Sequence, residues 1–272
     1  MIRIEKVVGP ARIEDLGRPG RLAQGIPRGG ALVPEALARA QRAVGNRDDS
    51  AGIERCGAMT LRALTPVVLG DDEEAVHRLA AGEARTFGWD GTRRVRYLVP
   101  HGGIDVPLVH GARGLVSATG LGGFEGRALA AGDTLRVGAA EGPSERRSGP
   151  PDELDDEGPI RVVPGPDLPS SFAWLVGSAF RVSPTSDRSG TRLEGPAGPW
   201  PAEAWPAATT PMVPGAIELP RAGQPIVLGP DHPTTGGYPV IGVVASWDLG
   251  RFHRLPLGAQ VSFAEAKARM GR

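Results

Sequence analysis

The residues best suited to bind a small polar ligand lie together in the segment DHPTTGGYP, at 231–239. Its two adjacent glycines lack side chains, so their backbone N–H groups can approach a ligand closely. The threonine hydroxyls add hydrogen-bond donors, and the tyrosine offers a ring face with a polar tip. Such a set suits a carboxylate, a phosphate or a lactam amide. A tight turn that leads into a core strand explains the same residues equally well. The candidate binding residues are Thr234, Thr235, Gly236, Gly237 and Tyr238.

Two arginines stand in segments of closely alternating charge and could bind an anion. Arg188 lies in SPTSDRSGTRLEGP, and Arg18 lies in EDLGRPG. A guanidinium can donate two parallel hydrogen bonds to a carboxylate or a phosphate. The alternative is a structural salt bridge within the same segment, for example between Arg188 and Asp187 or Glu194. Surface pairs of that kind contribute only about 0–1 kcal/mol.

Several common catalytic and binding signatures are absent from the sequence. The five histidines are scattered and Cys56 is the one cysteine, so no metal-ligand spacing is present. No Gly-Lys-Ser/Thr follows a glycine-rich turn, which argues against a P-loop, and there is no G-x-S-x-G elbow. The 31 basic residues are balanced by 31 acidic ones, which argues against a nucleic-acid-binding surface. The catalytic residues therefore stay unassigned.

The sequence predicts that these segments are held by short strands joined by many turns. The 40 glycines and 27 prolines are spread among short apolar segments, as is typical of such a chain. The first strand is predicted at 2–8 and the clearest helix at 34–44, where proline opens a run with helical apolar spacing. Residues 71–83 are ambiguous and could form a helix, and a short closing helix is predicted at 263–270. The fold class that follows is mainly β with a few short helices.

The composition changes sharply at 141–158, EGPSERRSGPPDELDDEG, which is polar and has no apolar periodicity. This stretch is the best linker candidate. We predict a β-rich N-terminal domain at 1–145, a linker or loop at 146–158 and a C-terminal domain at 159–272. A surface loop within one domain is the alternative.

The sequence also carries expectations about the cellular compartment. The first ten residues, MIRIEKVVGP, contain no apolar run of the length of a signal peptide. No stretch approaches the roughly 20 apolar residues that a membrane helix needs. One cysteine allows no intrachain disulfide, which fits a reducing compartment. We therefore expect a cytoplasmic protein.

A series of short motifs, taken in order and spacing, resembles the KipA family, which comprises the C subunits of bacterial 5-oxoprolinases and is also called allophanate hydrolase subunit 2. This family is related to the biotin-dependent carboxyltransferase part of urea carboxylase. Each motif is weak alone, but together they run almost from end to end. The motifs are EDLGRPG, GIPRGGAL, VGN followed by GIE, YLVPHGGIDVP, LGGFEGRALAAGD, IRVVPGPD, SPTSDRSGTRLEGP, VPGAIELPRAGQPIVLGPDHPTTGGYPVIGVV and SWDLGRFHRLPLGAQVSF.

The resemblance implies a mainly β fold with cyclophilin-like barrels. It also implies one subunit of a complex that uses ATP to open 5-oxoproline to glutamate, with a B-type, KipI-like subunit and a LamB/YcsF-like A subunit as partners. A lactam is inert to water at neutral pH, so its carbonyl must be activated, and N–H groups and arginine that hold oxyanion charge would help. We predict this role for the loop Thr234–Tyr238 and for Arg188, with Arg18 as a further substrate-binding residue.

The chain departs from the family pattern mainly at polar positions of its N-terminal half. Glu14 stands where the family has Gln, and Val33 stands where it has Asp. Residues 114–116, GLV, have lost three hydroxyls relative to the family pattern. A valine side chain can neither transfer a proton nor stabilise a charge. These losses lead to the hypothesis of a divergent member with a changed substrate or weak activity.

Three functions remain open on sequence grounds. The retained PTTGGYP segment favours a subunit of an amide-hydrolysing, ATP-dependent enzyme. The lost polar groups favour a non-catalytic regulator that binds a KipI-like partner. A carboxyltransferase of a urea carboxylase-like system is the third, although the chain has no Ala-Met-Lys-Met segment for biotin attachment and would have to act on a biotin carried by another protein.

Overall fold

The computed structural model describes residues 1–139, 154, 157–199 and 209–267. The chain divides into two compact units, Met1–Gly149 and Pro150–Arg272. The division falls within the segment predicted as a linker, 146–158. Only residues 154, 157 and 158 of that segment are described, so the linker itself stays a prediction.

The described part of unit 1 contains nine strands and one α-helix. Strands β7-β4-β1-β9 form one sheet and strands β2-β3-β8-β5-β6 form another. Alternate residues of the strands point into the core, as with Ile2 and Ile4 of the first strand, which are buried while Arg3 and Glu5 are exposed. The bounds are β1 Ile2–Val7, β2 Ala11–Glu14, α1 Pro34–Ala43, β3 Gly52–Arg55, β4 Met59–Ala63, β5 Val67–Asp71, β6 Val76–Leu79, β7 Ala84–Phe87, β8 Arg96–Pro100 and β9 Thr134–Leu135, with a 3-10 turn at Leu22–Gln24.

The described part of unit 2 contains nine strands and two α-helices. Seven strands close into a barrel in the order β10-β17-β14-β15-β12-β11-β18, and β13 pairs with β16 in a separate two-stranded ribbon. The bounds are β10 Ile160–Pro164, α2 Pro169–Val176, β11 Ala179–Val182, β12 Gly190–Glu194, β13 Thr210–Pro211, β14 Ala216–Glu218, β15 Ile226–Leu228, β16 Thr235–Gly236, β17 Val240–Val244, α3 Ser246–Arg254 and β18 Gln260–Glu265. The predicted mainly β fold with a barrel is confirmed.

One segment that the sequence left ambiguous is a strand, and one predicted helix was wrong where the structure describes it. Residues 71–83 end β5 and form β6, which pairs with β5 as a hairpin. The closing helix predicted at 263–270 was wrong over its described part: residues 263–265 belong to β18, which joins β10 on one side and β11 on the other and so closes the barrel. Residues 268–270 lie outside the described residues. Val261 and Phe263 of that strand point into the core and alternate with exposed residues. Pairing on both edges of β18 satisfies its backbone groups and buries Phe263, and this tertiary context decides against a helix at 263–265.

None of the helices in the described part of the chain has the length and apolar character needed to cross a bilayer.

Candidate functional site

The candidate loop, residues 229–239, joins β15 to β17 in unit 2. Its middle forms β16, which pairs with β13 in the register Thr210↔Gly236 and Pro211↔Thr235. The N–H of Met212 donates to the carbonyl of Thr234 at 3.0 Å. The loop is therefore held as a two-stranded ribbon at the barrel, rather than as a tight turn alone.

A buried ion pair fixes the start of this loop. Nε of Arg188 lies 3.0 Å from Oδ2 of Asp231, and Nη2 lies 3.1 Å from Oδ1, so the pair is bidentate. Both side chains are buried. The backbone N–H of Asp231 donates to the carbonyl of Arg188, and that of Gly229 donates to the carbonyl of Ser189. This face of the Arg188 guanidinium thus holds the protein's own carboxylate.

The acids that flank Arg188 in sequence have other contacts. Asp187 accepts hydrogen bonds from the backbone N–H groups of Ser189 and Gly190, and Glu194 accepts one from the hydroxyl of Ser183. The partner of Arg188 described here, Asp231, lies 43 residues away in sequence. A pattern of neighbouring charges could not have identified it.

The two glycines of the loop differ in their surroundings. A Cβ on Gly236 would lie 2.7 Å from Oε1 of Glu218 and 2.7 Å from Cε of Met212, so the ends of these two flexible side chains would have to shift to admit a larger residue. A Cβ on Gly237 would meet no atom of the described residues within 4 Å. Neither glycine has positive φ, so the loop is not a nest of the αR-αL kind that the double glycine allows. Within the described residues, the space on the Cβ side of Gly237 is therefore open.

The remaining predicted loop residues face outward to different degrees. Thr235 is exposed, Thr234 is half-buried, and the side chain of Tyr238 is 40% exposed. The structure therefore brings Thr234–Tyr238 together on one ribbon, with Arg188 beneath its start. Arg18 belongs to the other unit.

His232 is a buried residue of the same loop that sequence reasoning passed over. Its Nδ1 lies 2.7 Å from the carbonyl oxygen of Pro233, so Nδ1 carries the proton and Nε2 carries a lone pair. Burial lowers the pKa of His232, against the opposing effects of the Pro233 carbonyl and the Asp231 charge. No hydrogen-bond partner for Nε2 is found within the described residues. The imidazole is therefore neutral at pH 7.

Glu218, at the end of β14, is a second titratable group that the sequence did not single out. Its side chain is only 7% exposed, and burial raises the pKa of its carboxyl group. Sequence order did not indicate the contact between Glu218 and Gly236, because the two residues lie 18 positions apart and meet only when the ribbon folds against β14. The motif VPGAIELP that contains Glu218 gave no sign of this contact.

Arg18 in unit 1 holds a loop of its own unit. Its Nε donates to the carbonyl of Val109 at 2.8 Å, and its Nη2 donates to the carbonyl of Gly114 at 2.8 Å. Asp15, from the same EDLGRPG segment, accepts hydrogen bonds from the backbone N–H groups of Gly17 and Arg113. These contacts give the segment a clear structural role, and the predicted substrate contact of Arg18 stays a prediction.

Val33 occupies the N-cap of α1, where it makes no side-chain cap, and its side chain is fully buried. Its N–H donates to the hydroxyl of Tyr97, which in turn donates to Oε2 of Glu54 at 2.7 Å. The N–H of Leu32 donates to the same oxygen at 2.7 Å. The start of the helix thus already faces a buried carboxylate. An aspartate here would be a helix cap as well as an acid, and it would lie close to Glu54.

We expect Val33→Asp to lower the free energy of unfolding at pH 7 by about 2–3 kcal/mol. The loss of buried apolar surface and the burial of a charge near Glu54 outweigh an N-cap gain of about 1 kcal/mol. Val33→Asn is the matched control, since it can cap the helix without a charge and should cost less. Urea titration of both variants measures the difference. A Val33→Asp protein as stable as the wild type would mean that the position can accommodate the family carboxylate.

Within the described residues, no group of three or more His, Cys, Asp or Glu side chains is arranged to hold a metal ion. The candidate site consists of four parts described above: the ribbon loop, the imidazole of His232, the buried carboxyl of Glu218 and the Arg188–Asp231 pair.

Comparison with known proteins gives a consistent family. The model of the carboxyltransferase domain, subdomains A and B, matches residues 24–265. The chain is 32% identical to the C subunit of the 5-oxoprolinase of Escherichia coli, over 97% of this chain and 91% of that protein. It is 29% identical to the C subunit of the 5-oxoprolinase of Haemophilus influenzae, over 97% of this chain and 90% of that protein.

The fold is also that of a larger enzyme. The crystal structure of the K. lactis urea amidolyase superposes with a TM-score of 0.86 at 23% identity, over 98% of this chain. The match covers 19% of the amidolyase chain, so this protein corresponds to about a fifth of it. At that identity the likeness establishes the fold and no more.

Proposed function

The chain belongs to the carboxyltransferase domain family, together with the C subunit of the E. coli 5-oxoprolinase, and from this membership we propose that it is a subunit of an ATP-dependent 5-oxoprolinase. The observation that carries the proposal is the match of both whole lengths, 97% of this chain and 91% of the E. coli protein. The urea amidolyase, in contrast, is matched over a small part of its length. The proposed partners are a B-type, KipI-like subunit and a LamB/YcsF-like A subunit.

The proposed reaction opens the lactam ring of 5-oxoproline. The ring C–N bond breaks, water supplies a hydroxyl to the carbonyl carbon, and the nitrogen leaves as the amino group of glutamate. ATP is the co-reactant of the complex, and its γ-phosphoryl group ends as phosphate when a second water is consumed. In this chain, we assign the ribbon Thr234–Tyr238 to substrate binding, where open backbone N–H groups and threonine hydroxyls can hold the carboxylate or the developing oxyanion. Arg188 contributes by fixing the start of that loop through Asp231.

The experiment that tests the proposal is 5-oxoproline-dependent ATP hydrolysis by this chain mixed with a B-type, KipI-like subunit and a LamB/YcsF-like A subunit from the same organism. Each subunit is omitted in turn. Activity that needs all three supports the proposal. A stable complex without activity contradicts it and favours the regulatory role, in which this chain only binds a KipI-like partner.

A carboxyltransferase function is the second candidate, because the family is defined by that domain and the fold matches the urea amidolyase. Its test is transfer of a carboxyl group from a carboxylated biotin carrier protein to 5-oxoproline or urea. Transfer with urea and no 5-oxoproline-dependent ATP hydrolysis would favour this candidate over the first.

Gly237→Ala offers a sharp probe of the ribbon. Since a Cβ here meets no atom of the described residues within 4 Å and φ is not positive, the free energy of unfolding should change by less than about 0.5 kcal/mol. The methyl group would nevertheless stand between the backbone and a bound ligand, so we expect the KM for 5-oxoproline to rise about 10-fold. Gly88→Ala is the matched control, because a Cβ there also meets no atom within 4 Å. Equal KM values for the two variants would remove Gly237 from the binding surface.

A further inference from the structure

Glu218 is an acidic residue placed on the barrel wall under the candidate ribbon. It ends β14, where it pairs with Val240 of β17 and with Ile226 of β15. The register shifts by one residue between Ile217 and Glu218, so the ladder is irregular here, as at a β-bulge. Bulges re-aim side chains and are common beside active sites. Here Ile217 lies in the barrel core, while Oε1 of Glu218 lies against Gly236 of the ribbon.

The carboxyl group of Glu218 is unusual among the buried acids of unit 2. Asp231 is paired with Arg188, and Asp248 is paired with Arg161. Glu218 has no hydrogen bond or ion pair within the described residues, although only 7% of its surface is exposed. The carboxyl oxygens are not among the fully enclosed polar atoms of the described residues, so they still reach the surface beside the ribbon while the rest of the side chain is buried. Burial accordingly raises the pKa of this group.

A purely structural role does not explain this arrangement. A leucine or methionine at the end of β14 would pack against Met212 and the neighbouring apolar cluster, Ala216, Leu228 and Val240, without the cost of desolvating an acid. Gly236 also leaves the carboxyl oxygen uncovered, because any larger residue would bring its Cβ to 2.7 Å from it. Both features leave an acceptor oxygen bare beside the loop.

We propose that Glu218 is the acceptor for a ligand N–H at this site, and that the ligands it selects are amides of the lactam or urea class. The inference rests on the proposed function and names one of its subsites. A secondary lactam presents one N–H donor and one carbonyl acceptor. Glu218 satisfies the first, and the open backbone of the ribbon at Gly237 is left for the carbonyl or the carboxylate. When the C–N bond breaks, the same carboxylate faces the nitrogen that becomes the amino group.

The test compares two ligands on the assembled complex by isothermal titration calorimetry. One is 5-oxoproline and the other is its lactone analogue, 5-oxotetrahydrofuran-2-carboxylate, which has a ring oxygen in place of N–H. A hydrogen bond to a charged acceptor corresponds to roughly 10–100-fold in affinity, so the wild type should prefer the lactam by about that factor. Glu218→Gln should lower the lactam affinity about 10-fold and leave the lactone affinity unchanged.

Glu265→Gln is the matched control, since Glu265 lies on another barrel strand, β18, and is exposed. It should bind both ligands as the wild type does. If Glu218→Gln does not fold, the wild-type ratio decides alone: equal affinities for lactam and lactone overturn the inference. A Glu218→Gln complex that keeps the wild-type ratio of lactam to lactone affinity also overturns the inference. A wild-type complex that binds no 5-oxoproline overturns it as well. A complex that selects the lactam through Glu218 but hydrolyses no ATP would overturn the proposed function and leave this inference standing.

Discussion

Asp231→Leu is expected to lower the free energy of unfolding of unit 2 by about 3–5 kcal/mol, the usual cost of removing one partner of a buried ion pair. The guanidinium of Arg188 would lose two hydrogen bonds, of 3.0 and 3.1 Å. It would remain buried with its charge less well compensated. Since the backbone N–H of Asp231 donates to the carbonyl of Arg188, the start of the ribbon loop should loosen as well.

A double-mutant cycle measures this pair. Arg188→Leu, Asp231→Leu and the double variant are unfolded in urea while the fluorescence of Trp174 and Trp247, both in unit 2, is followed. We expect the double variant to be more stable than the sum of the two single losses by about 2 kcal/mol or more, because neither charge is then left alone. Additive losses would mean that the two side chains do not depend on each other.

Two further variants of the same pair test the predicted role of Arg188. Arg188→Lys keeps the charge but cannot form the bidentate pair. If Arg188 acts by fixing the loop through Asp231, the lysine variant should lose stability and substrate affinity together. If Arg188 contacts the substrate, Asp231→Asn should weaken substrate binding much less than Arg188→Lys does.

The parts of the fold that sequence predicted are those governed by local periodicity. The strand at 2–8 and the helix at 34–44 were found to within one residue at their ends, as Ile2–Val7 and Pro34–Ala43. In both elements, the spacing of the apolar residues along the sequence matches the face that is buried. The mainly β class followed from the many glycines and prolines between short apolar runs, and this also proved correct.

The helix α3 was missed because its stability comes from contacts that sequence order does not show. Its residues, SWDLGRFHR, include a central glycine, and the preceding Ala245 makes no side-chain cap. Asp248 in its first turn is instead held by Arg161 of β10, 87 residues away. The same limit applied to the site. The motif PTTGGYP pointed to the ribbon, but Glu218 and the pairing of Arg188 with Asp231 depend on how the chain folds back.

The family resemblance identified position 33 as a departure from the pattern, but it gave no information about the surroundings of that residue in the fold. Val33 was identified as a departure from the family's aspartate, which suggested a lost catalytic group. In the structure it is the N-cap of α1 beside the Glu54–Tyr97 pair. An acid at a helix start has a structural use as well, so the loss of aspartate at this position is weak support for a loss of activity. Whether the substrate has changed is better tested at Glu218 and Gly237.

Asp248→Asn is expected to cost about 3 kcal/mol of unfolding free energy at pH 7. Asp248 is fully buried and accepts hydrogen bonds from the backbone N–H of Arg161 at 2.6 Å, from its Nε at 2.8 Å and from Nη2 of Arg251 at 3.0 Å. Burial alone would raise the pKa of this carboxyl, but the hydrogen bonds from Arg161 and Arg251 outweigh it and lower the pKa. An amide has one acceptor oxygen and no charge, so it cannot replace these contacts.

The lowered pKa fixes how that cost depends on pH. A carboxyl whose pKa is lower in the folded than in the unfolded state adds stability above its unfolded pKa, about 3.9, and the contribution is lost as the pH falls through the folded value. The difference between wild type and Asp248→Asn should therefore be full at pH 7 and should shrink below about pH 4. Asp167→Asn is the control, because an amide oxygen can still accept the N–H of Val240, and its effect should be small. A cost for Asp248→Asn that stays constant down to pH 3 would mean that packing, rather than the charge of Asp248, holds α3 against β10.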